Sequence, residues 1–389
     1  MRLLTALTAL ILGTTPALAQ PCGGSFSGFV DQMKQEAIAS GHDIQTVNAF
    51  FASVRQDPKV IKADRRQGVF QMNFTDFARR LISNSRLNTG KSKAKQFDSV
   101  FDRIESTYGI NRGVLLAFWA FETDFGSFQG NFNTLNALVT LSHDCRRPEL
   151  FRPQVFAALE LYEKGDFSPT RTTGAWAGEI GMVQMLPRDI LENGVDGDGD
   201  GQVYLKTSAP DALMSGGKML QSLGWRAGEP WLQEISVPDG LDWSQTGLRT
   251  TKTGAEWAAL GVTPRYGQIV SALPASVILP QGRNGPAFLA YPNFSVYFEW
   301  NQSFTYVLTA AYFANRLTGA PVFDAGNPDP GLSGAQMKQL QTKLAKRGYD
   351  VGKIDGILGA GTRAAVQDVQ GKLGMPADAW PTRALLNAL

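Results

Sequence analysis

The chain has 389 residues and is nearly neutral, with 37 lysine and arginine residues against 35 aspartate and glutamate residues and a formal net charge of +2. This balance excludes the strongly basic surface that is typical of nucleic-acid-binding proteins. The length is sufficient for two or three domains and a sizeable core. With only His42 and His143 in the chain, a histidine-rich metal site and a Ser-His-Asp mechanism are both disfavoured.

Residues 1–19 have the pattern of a cleavable export signal. Arg2 gives a short basic start, residues 3–12 are mostly apolar, and residues 17–19 form a small-x-small cleavage site. The apolar stretch is too short to span a membrane. We therefore expect a soluble exported protein, periplasmic or secreted, without a membrane span.

The two cysteines, Cys22 and Cys145, both follow the predicted cleavage site. In an oxidising compartment a single disulfide between them is one outcome, and two unpaired thiols are the other. A disulfide would tie the new N-terminus to the region that follows residue 126.

Helical spacing of apolar residues dominates the first two-thirds of the chain, so the predicted fold class is mainly α (α+β). Helices are predicted in five segments: 22–85, 97–104, 135–141, 151–162 and 303–317. A short β element is predicted around residues 291–298, where apolar residues alternate with smaller or polar ones. Residues 226–285 are rich in Gly and Pro and suggest an irregular lobe, whose tryptophans favour a core role over sugar stacking.

Glu122 follows eight consecutive apolar residues, 114–121, and Gly126 lies within one helical turn of it. A segment that is apolar on every face is typical of a buried helix. Burial of an unpaired carboxylate is costly, so the pKa of Glu122 should rise. A carboxyl group that is still protonated near neutral pH suits a general acid. The alternative is a structural glutamate satisfied by an arginine or by backbone donors, and this segment alone does not separate the two.

Two later segments have features of a carbohydrate site. In residues 174–187, closely spaced glycines let the backbone approach a ligand or another chain, and Gln184 offers both a donor and an acceptor. In residues 291–306, neutral hydrogen-bonding groups stand beside aromatic residues. The candidates there are Asn293, Asn301, Ser303 and Tyr306.

An acidic loop follows the first of these segments. Oxygen ligands at alternate positions, with Gly201 at the sixth, match the opening half of an EF-hand calcium loop. Thr207 stands where a glutamate is expected, and Asp211 could close a longer loop. The sequence predicts a structural Ca²⁺ here, with a flexible acidic turn as the alternative. The candidate ligands are Asp196, Asp198, Asp200, Gln202 and Asp211.

The C-terminal part is separated by residues 319–331, which contain three prolines and three glycines. This composition predicts an extended, poorly packed linker. Residues 332–389 have their own helical periodicity, and their glycines and the Asp355-Gly356 pair suit tight turns. A small, separate, mostly helical domain is therefore expected.

Three motifs in this order carry a resemblance to a known family. They are the segment from Phe121 to Gly126 with 135–144, the Gly178-x-x-Gly181-x-x-Gln184-x-x-Pro187 pattern, and Asn293 with Asn301-x-Ser303-x-x-Tyr306. Together, over roughly residues 25–318, the chain resembles membrane-bound lytic transglycosylase B and its relatives. The Leu340-Gln341 to Gln370 pattern resembles the small peptidoglycan-binding domain found on many wall enzymes.

The resemblance implies a lysozyme-like, goose-type catalytic core with an extra helical lobe, and a small three-helix C-terminal domain. The expected boundaries are a signal peptide at 1–19, a catalytic domain at 20–318, a linker at 319–331 and a peptidoglycan-binding domain at 332–389.

For the activity, the resemblance implies cleavage of the β-1,4 bond between N-acetylmuramic acid and N-acetylglucosamine in peptidoglycan. Glu122 would act first as acid and then as base while the muramyl C6 hydroxyl attacks C1, giving a 1,6-anhydromuramyl end without a catalytic cofactor. Glycan strands are the expected partner, with other cell-wall enzymes as further partners and the chain as a monomer. The residues expected to bind substrate are Gln184, Asn293, Asn301, Ser303, Tyr306 and Glu179.

Two positions keep alternatives open. Ala175 stands where some family members carry a serine thought to orient the catalytic glutamate, so another group must orient Glu122 or burial mainly sets its pKa. Ordinary glycosidases need two carboxylates; Asp124 points away from Glu122 on a helix, which leaves Glu179 as the rival second carboxylate. The alternatives are thus a hydrolytic muramidase and a non-catalytic peptidoglycan-binding protein.

Overall fold

The computed structural model describes residues 22–66 and 72–389, so the predicted signal peptide lies outside the described residues. These residues form a large helical body, a small sheet lobe and a C-terminal helical unit, each around its own apolar cluster. None of the helices in the described ranges is long and apolar enough to cross a bilayer. The predicted fold class, mainly helical with some β structure, is confirmed.

The helical body contains most of the helices. Its first half comprises α1 (Phe26–Ala39), α2 (Ile44–Phe51), α3 (Pro58–Asp64), α4 (Phe74–Leu81), α5 (Asn84–Gln96), α6 (Asp98–Tyr108) and α7 (Arg112–Thr123). Its second half comprises α8 (Thr134–His143), α9 (Pro148–Lys164), α10 (Pro187–Asn193), α11 (Ala209–Ser222), α13 (Pro292–Trp300) and α14 (Phe304–Leu317), with the short strands β1 (Phe132–Asn133) and β2 (Thr173–Gly174).

Short polar side chains begin many of these helices. The Oδ1 atom of Asn111 accepts from the Gly113 N–H at 2.8 Å and caps α7, and Asn133 caps α8 in the same way. Such caps satisfy backbone N–H groups that the first helical turn leaves without a partner. The position at which the Glu122 helix begins is therefore set by a local feature of the sequence, the Asn111 cap.

Helix α7 lies at the centre of the helical body. Residues 114–120 are each at most 2% exposed, and the helix packs chiefly against α14 and α5. A helix that is apolar on all sides is stable only when neighbours cover every side, as they do here. The predicted buried helix is confirmed, and its C-terminal end carries Glu122 to the edge of the core.

The sheet lobe occupies much of the region that the sequence suggested to be irregular. Its elements are β3 (Leu232–Ser236), β4 (Lys252–Thr253), α12 (Gly254–Ala259), β5 (Thr263–Pro264), β6 (Pro274–Ile278) and β7 (Ala287–Ala290). The five strands are all antiparallel, in the order β4-β6-β7-β3-β5. Trp257 lies fully buried in the lobe, and its Nε1 donates to the Ala275 carbonyl at 2.8 Å.

The β element predicted around residues 291–298 is wrong, because this segment is helix α13. Pro292 occupies the first helical turn, where its missing N–H leaves no bond unmade. The buried residues Asn293, Phe294 and Tyr297 follow helical spacing. The alternation of Phe294, Val296 and Phe298 over so few positions fits either structure, and packing against the core decides it.

The segment predicted to be a linker, residues 319–331, forms no helix or strand, but it contacts the units on both sides of it. Phe323 is 9% exposed and belongs to the core of the helical body. The Asp324 N–H donates to the Glu234 carboxylate at 2.7 Å, and the Trp380 indole N–H donates to the Asp329 carbonyl at 2.8 Å. Residues 319–331 are therefore attached to the body at one end and to the C-terminal unit at the other.

The C-terminal unit contains α15 (Gly334–Ala345), α16 (Ala360–Lys372) and α17 (Arg383–Ala388). It packs against the sheet lobe through α16, where the Gln367 amide donates to the carbonyls of Trp243 at 3.0 Å and Thr246 at 2.9 Å. Asp378 pairs with Arg283 at 3.3 Å. The small domain expected from the sequence is present, and it is docked on the rest of the chain.

Cys22 and Cys145 form a disulfide with a Cα–Cα distance of 5.2 Å. The bond joins the first described residue to the segment that follows α8. It closes a covalent loop with a sequence separation of 123 residues that contains α1 to α8.

Candidate active site

Glu122 is the penultimate residue of α7 and lies half-buried where the chain turns sharply. Asp124 and Phe125 both have positive φ, 50° and 58°, which ends the helix immediately after the glutamate. The Oε1 atom of Glu122 accepts from the Trp300 indole N–H at 3.1 Å and from the Tyr306 hydroxyl. Its Oε2 atom accepts no hydrogen bond from any described residue, so one carboxyl oxygen is anchored and the other remains available.

Burial raises the pKa of Glu122 to about 7, in the direction that the sequence predicts. The hydrogen bonds from Tyr306 and Trp300 oppose this rise, because they favour the charged carboxylate, and the negative charge of Glu179 adds to it. A carboxyl with such a pKa gives up and takes back a proton near neutral pH, as an acid that later acts as a base requires.

Both donors to Glu122 come from one short segment, residues 300–306, which we call the α13–α14 turn. The Asn301 Oδ1 atom accepts from the Ser303 N–H at 2.9 Å, and the Ser303 hydroxyl oxygen caps α14 by accepting from the Tyr306 N–H at 3.4 Å. Of the predicted substrate-binding residues, Asn301 and Ser303 thus shape the turn, and Tyr306 contacts the candidate catalytic carboxyl itself.

Aromatic packing holds the two donors in place. The Trp300 ring stacks on Phe118 of α7, with centroids 4.2 Å apart and planes 20° apart. The Tyr306 ring packs edge-on against Phe121, and burial raises the pKa of Tyr306 well above its usual value, so its hydroxyl stays a donor. Trp300 and Tyr306 supply the orientation that Ala175 cannot.

The second motif, in residues 174–187, is hydrogen-bonded to Thr123, the residue next to Glu122. The Thr123 hydroxyl donates to the Met182 carbonyl at 2.6 Å and accepts from the Gly126 N–H at 2.9 Å. Gly181 has φ +82°, and a Cβ there would lie 2.4 Å from the Leu205 Cβ, so the close approach requires glycine. The Gln184 side-chain amide donates to the Gly181 carbonyl at 2.7 Å, which holds the turn and places Gln184 beside it.

Glu179 lies half-buried within this second motif. Its Oε2 atom is shielded from solvent and has no partner among the described residues. Burial raises the pKa of Glu179, and backbone N–H groups and the positive charge of Arg147 partly oppose that rise. The charge of Glu179 acts on Glu122, so the two carboxyl groups form one electrostatic system.

The structure corrects the prediction for Asn293. Its side chain is fully buried, its amide donates to the carbonyls of Arg226 at 2.8 Å and Glu229 at 2.9 Å, and its Oδ1 accepts from the Arg226 N–H at 2.7 Å. Both amide hydrogens are thus used inside the protein, and the buried side chain presents no surface to a substrate. Asn293 instead ties α13 to the segment before the sheet lobe.

Asp124 is held away from Glu122 by an ion pair with Arg86 at 2.9 Å.

Trp300 was not among the predicted site residues, although it lies inside the third motif. The sequence did offer a signal for it. Trp300 stands directly before Asn301, and its indole N–H is a neutral hydrogen-bond donor like the other groups of that motif.

The acidic loop brings three of its five predicted ligands together. Carboxylate oxygens of Asp196, Asp198 and Asp211 all lie within 4.8 Å of one another. Asp211 is fully buried in the first turn of α11 and accepts from the N–H groups of Gly197 and Tyr204, both at 2.8 Å. Three converging carboxylates fit the oxygen ligands that Ca²⁺ prefers.

The remaining two predicted ligands are engaged within the loop. The Asp200 Oδ1 atom accepts from the Gln202 N–H at 2.9 Å, and the Gln202 side-chain amide donates to the Gly201 carbonyl at 2.8 Å. They lie in the same loop but outside the group of converging carboxylates.

Comparison with known proteins identifies two domains in the chain. Residues 25–315 match the family model described as "Transglycosylase SLT domain", and residues 333–389 match "Putative peptidoglycan binding domain". Membrane-bound lytic murein transglycosylase B of Escherichia coli strain K12 is 25% identical over 235 residues, which are 60% of this chain and 64%, just under two thirds, of that protein.

Two solved structures of lytic transglycosylases have the same fold as this chain. A crystal structure of SltB3 from Pseudomonas aeruginosa in complex with NAG-anhNAM-pentapeptide is 36% identical, covers 94% of this chain and 99% of its own, and has a TM-score of 0.85. The Escherichia coli lytic transglycosylase Slt35 in complex with calcium is 23% identical, covers 77% of this chain and 96% of its own, and shares the fold with a TM-score of 0.65. The chain therefore belongs to the transglycosylase SLT family of lytic transglycosylases and carries a C-terminal peptidoglycan-binding domain.

Proposed function

We propose that the protein is a lytic transglycosylase that cleaves the β-1,4 bond between N-acetylmuramic acid and N-acetylglucosamine in peptidoglycan and leaves 1,6-anhydromuramyl ends. One observation carries the proposal: Glu122, with a pKa raised to about 7, is held by Trp300 and Tyr306 on one oxygen and free on the other. The SltB3 complex with NAG-anhNAM-pentapeptide supports the substrate class.

In the first step the Glu122 carboxyl donates its proton to the glycosidic oxygen. The bond from that oxygen to the muramyl C1 breaks, and the N-acetylglucosamine part leaves with a free C4 hydroxyl. Burial supports this step because it disfavours the charged carboxylate and so keeps the proton available near neutral pH.

In the second step the Glu122 carboxylate takes the proton of the muramyl C6 hydroxyl while that oxygen bonds to C1. The carboxyl is restored, the anhydro ring closes, and no water is consumed. The hydrogen bonds from Trp300 and Tyr306 stabilise the intermediate carboxylate. One carboxyl group can perform both steps because its two forms are close in free energy near pH 7.

Glu179 supports a second candidate function, a hydrolytic muramidase. Its buried Oε2 atom, which has no partner in the part of the chain that the structure describes, favours a second participating carboxylate. A Glu179 carboxylate that activated water would give reducing muramic acid ends in place of anhydro ends.

Digestion of purified peptidoglycan with wild type and Glu122→Gln tests the proposal, with Asp124→Asn as the matched control. We expect wild type and Asp124→Asn to release muropeptides one water lighter than reducing ends, by mass spectrometry, and Glu122→Gln to release almost none. Undiminished release by Glu122→Gln, or reducing ends alone from wild type, would contradict the proposal.

We further infer that the acidic loop binds a structural Ca²⁺ through Asp196, Asp198 and Asp211. The buried Asp211 joins the loop to α11, so the ion would tie residues 196–202 to the body of the enzyme. Thermal unfolding with and without CaCl₂ tests this: Ca²⁺ should raise the melting temperature of wild type and not that of Asp211→Asn, with MgCl₂ as the control ion. Equal melting temperatures of wild type with and without Ca²⁺ would refute the site.

The remaining predictions from the sequence extend this proposal. Export through residues 1–19 would bring the enzyme to the periplasm or outside the cell, where its substrate lies. The C-terminal domain would hold glycan strands, and the protein would act as a monomer.

A further inference from the structure

The C-terminal domain contacts the catalytic body at the start of α14, the helix that carries a hydrogen-bond donor to Glu122. The Arg363 guanidinium of α16 lies over the Phe304 ring, 4.6 Å from its centroid. Phe304 is the first residue of α14 and stands two positions before Tyr306, which donates to Glu122. The second domain therefore covers the first turn of the helix that orients the candidate catalytic carboxyl.

Arg363 is held firmly in this position. Its Nη2 atom donates to the Pro280 carbonyl at 2.8 Å. Burial lowers the pKa of Arg363 to about 10, and the negative charge of Asp378 opposes that change, so the side chain stays positively charged at neutral pH. A cation over an aromatic face attracts more strongly when water is excluded.

Phe304 connects Arg363 to both helices that flank the α13–α14 turn. Its ring stacks on Phe298 of α13, with centroids 6.4 Å apart and planes 29° apart. Trp300 ends α13 and Tyr306 lies in the first turn of α14. The two aromatic rings thus join the helix ends that carry the two hydrogen-bond donors of Glu122, and Arg363 covers the Phe304 ring from the other domain.

We propose that Arg363 is a positioning residue: it fixes the α13–α14 turn through Phe304, and so makes the geometry of the Glu122 donors depend on this one contact from the C-terminal domain. This inference rests on the proposed function. The domain then has a role in catalysis that is separate from any binding of the cell wall.

The consequence for catalysis follows from the groups that act on Glu122. Trp300 and Tyr306 favour its carboxylate form, and Glu179 disfavours it. When the turn loosens, the two donors act less strongly while the effect of Glu179 stays, so the pKa of Glu122 rises. The alkaline limb of the kcat profile should move to higher pH, and kcat should fall by about 10-fold to 100-fold, as expected for small displacements of catalytic groups.

The test compares Arg363→Ala, Arg363→Lys and Gln367→Ala on a soluble, peptide-free oligomer of N-acetylglucosamine and N-acetylmuramic acid. Gln367 contacts the same lobe from one helical turn away and does not lie over Phe304, so it is the matched control. We expect the loss of kcat and the shifted alkaline limb in Arg363→Ala alone, with KM nearly unchanged, and near-normal behaviour in Arg363→Lys, which keeps a cation.

Phe304→Leu provides an independent variant on the other side of the contact, should Arg363→Ala fail to fold. It should give the same shift, and the double variant should be no worse than either single one, because both remove one interaction. An unchanged kcat and alkaline limb in Arg363→Ala or in Phe304→Leu, or a higher KM without a shifted limb, overturns the positioning role. If Glu122→Gln is inactive in the same assay, the proposed function survives that result; if it is active, the proposed function fails first.

Discussion

Replacement of Glu122 by glutamine should stabilise the protein at alkaline pH, because burial makes the charged form of this carboxyl unfavourable in the folded state. The pKa rises from the ordinary 4.5 to about 7 on folding. At 1.36 kcal/mol per unit this difference amounts to about 3 kcal/mol. Gln keeps the size of the side chain and an oxygen to accept from Trp300 and Tyr306.

The direction follows from proton linkage. Well below pH 4.5 the carboxyl is protonated in both the folded and the unfolded state, so Glu122 does not change the free energy of unfolding with pH. Between pH 4.5 and about 7 the unfolded chain releases the proton and the folded protein retains it, so the free energy of unfolding decreases as the pH rises. Above about pH 7 the loss is complete, at about 3 kcal/mol relative to acidic pH.

Urea unfolding of wild type and Glu122→Gln at pH 4.5 and pH 9 measures this effect. The stability difference between the two proteins should grow by about 3 kcal/mol in favour of the glutamine variant at pH 9. Titrations common to both proteins cancel in this comparison, and Asp124→Asn serves as a control for loss of a nearby charge. A difference that is the same at both pH values would refute the raised pKa and, with it, the reasoning that makes Glu122 an acid at neutral pH.

Two further variants should move the pH profile in opposite directions. Tyr306→Phe removes a donor that favours the carboxylate, so the alkaline limb of kcat should move to higher pH with a loss of about 10-fold or more in kcat; an unmoved limb would show that the hydroxyl does not act on Glu122. Glu179→Gln removes a negative charge that raises the pKa of Glu122, so the limb should move to lower pH while the products remain anhydro ends. Loss of all product formation in Glu179→Gln would instead indicate a direct part in the chemistry.

The sequence was sufficient for the features that depend on local pattern. The eight apolar residues before Glu122 predicted both the buried helix and the direction of its pKa shift, because burial follows from the composition of that one segment. The spacing of the acidic loop indicated that Asp211 could close it, and the Asp211 carboxylate does lie within 4.8 Å of those of Asp196 and Asp198.

Features that depend on packing between distant segments were missed. The alternation in residues 291–298 could not reveal a helix, because burial against the core decided between two patterns of similar quality. The linker composition hid the burial of Phe323. The contact of Arg363 with Phe304 joins residues of two domains, and no local pattern marks either of them.

The covalent loop closed by Cys22 and Cys145 bears on where this enzyme can safely be active. The loop contains the Glu122 helix, and closing a loop of this length removes enough freedom from the unfolded chain to stabilise the fold by about 4–5 kcal/mol. Thiols stay reduced in the cytosol, so a chain that is exported as proposed would lack this stabilisation while it is still in the cytosol. The enzyme would thus reach its full stability only in the compartment that contains the cell wall, where the disulfide can form.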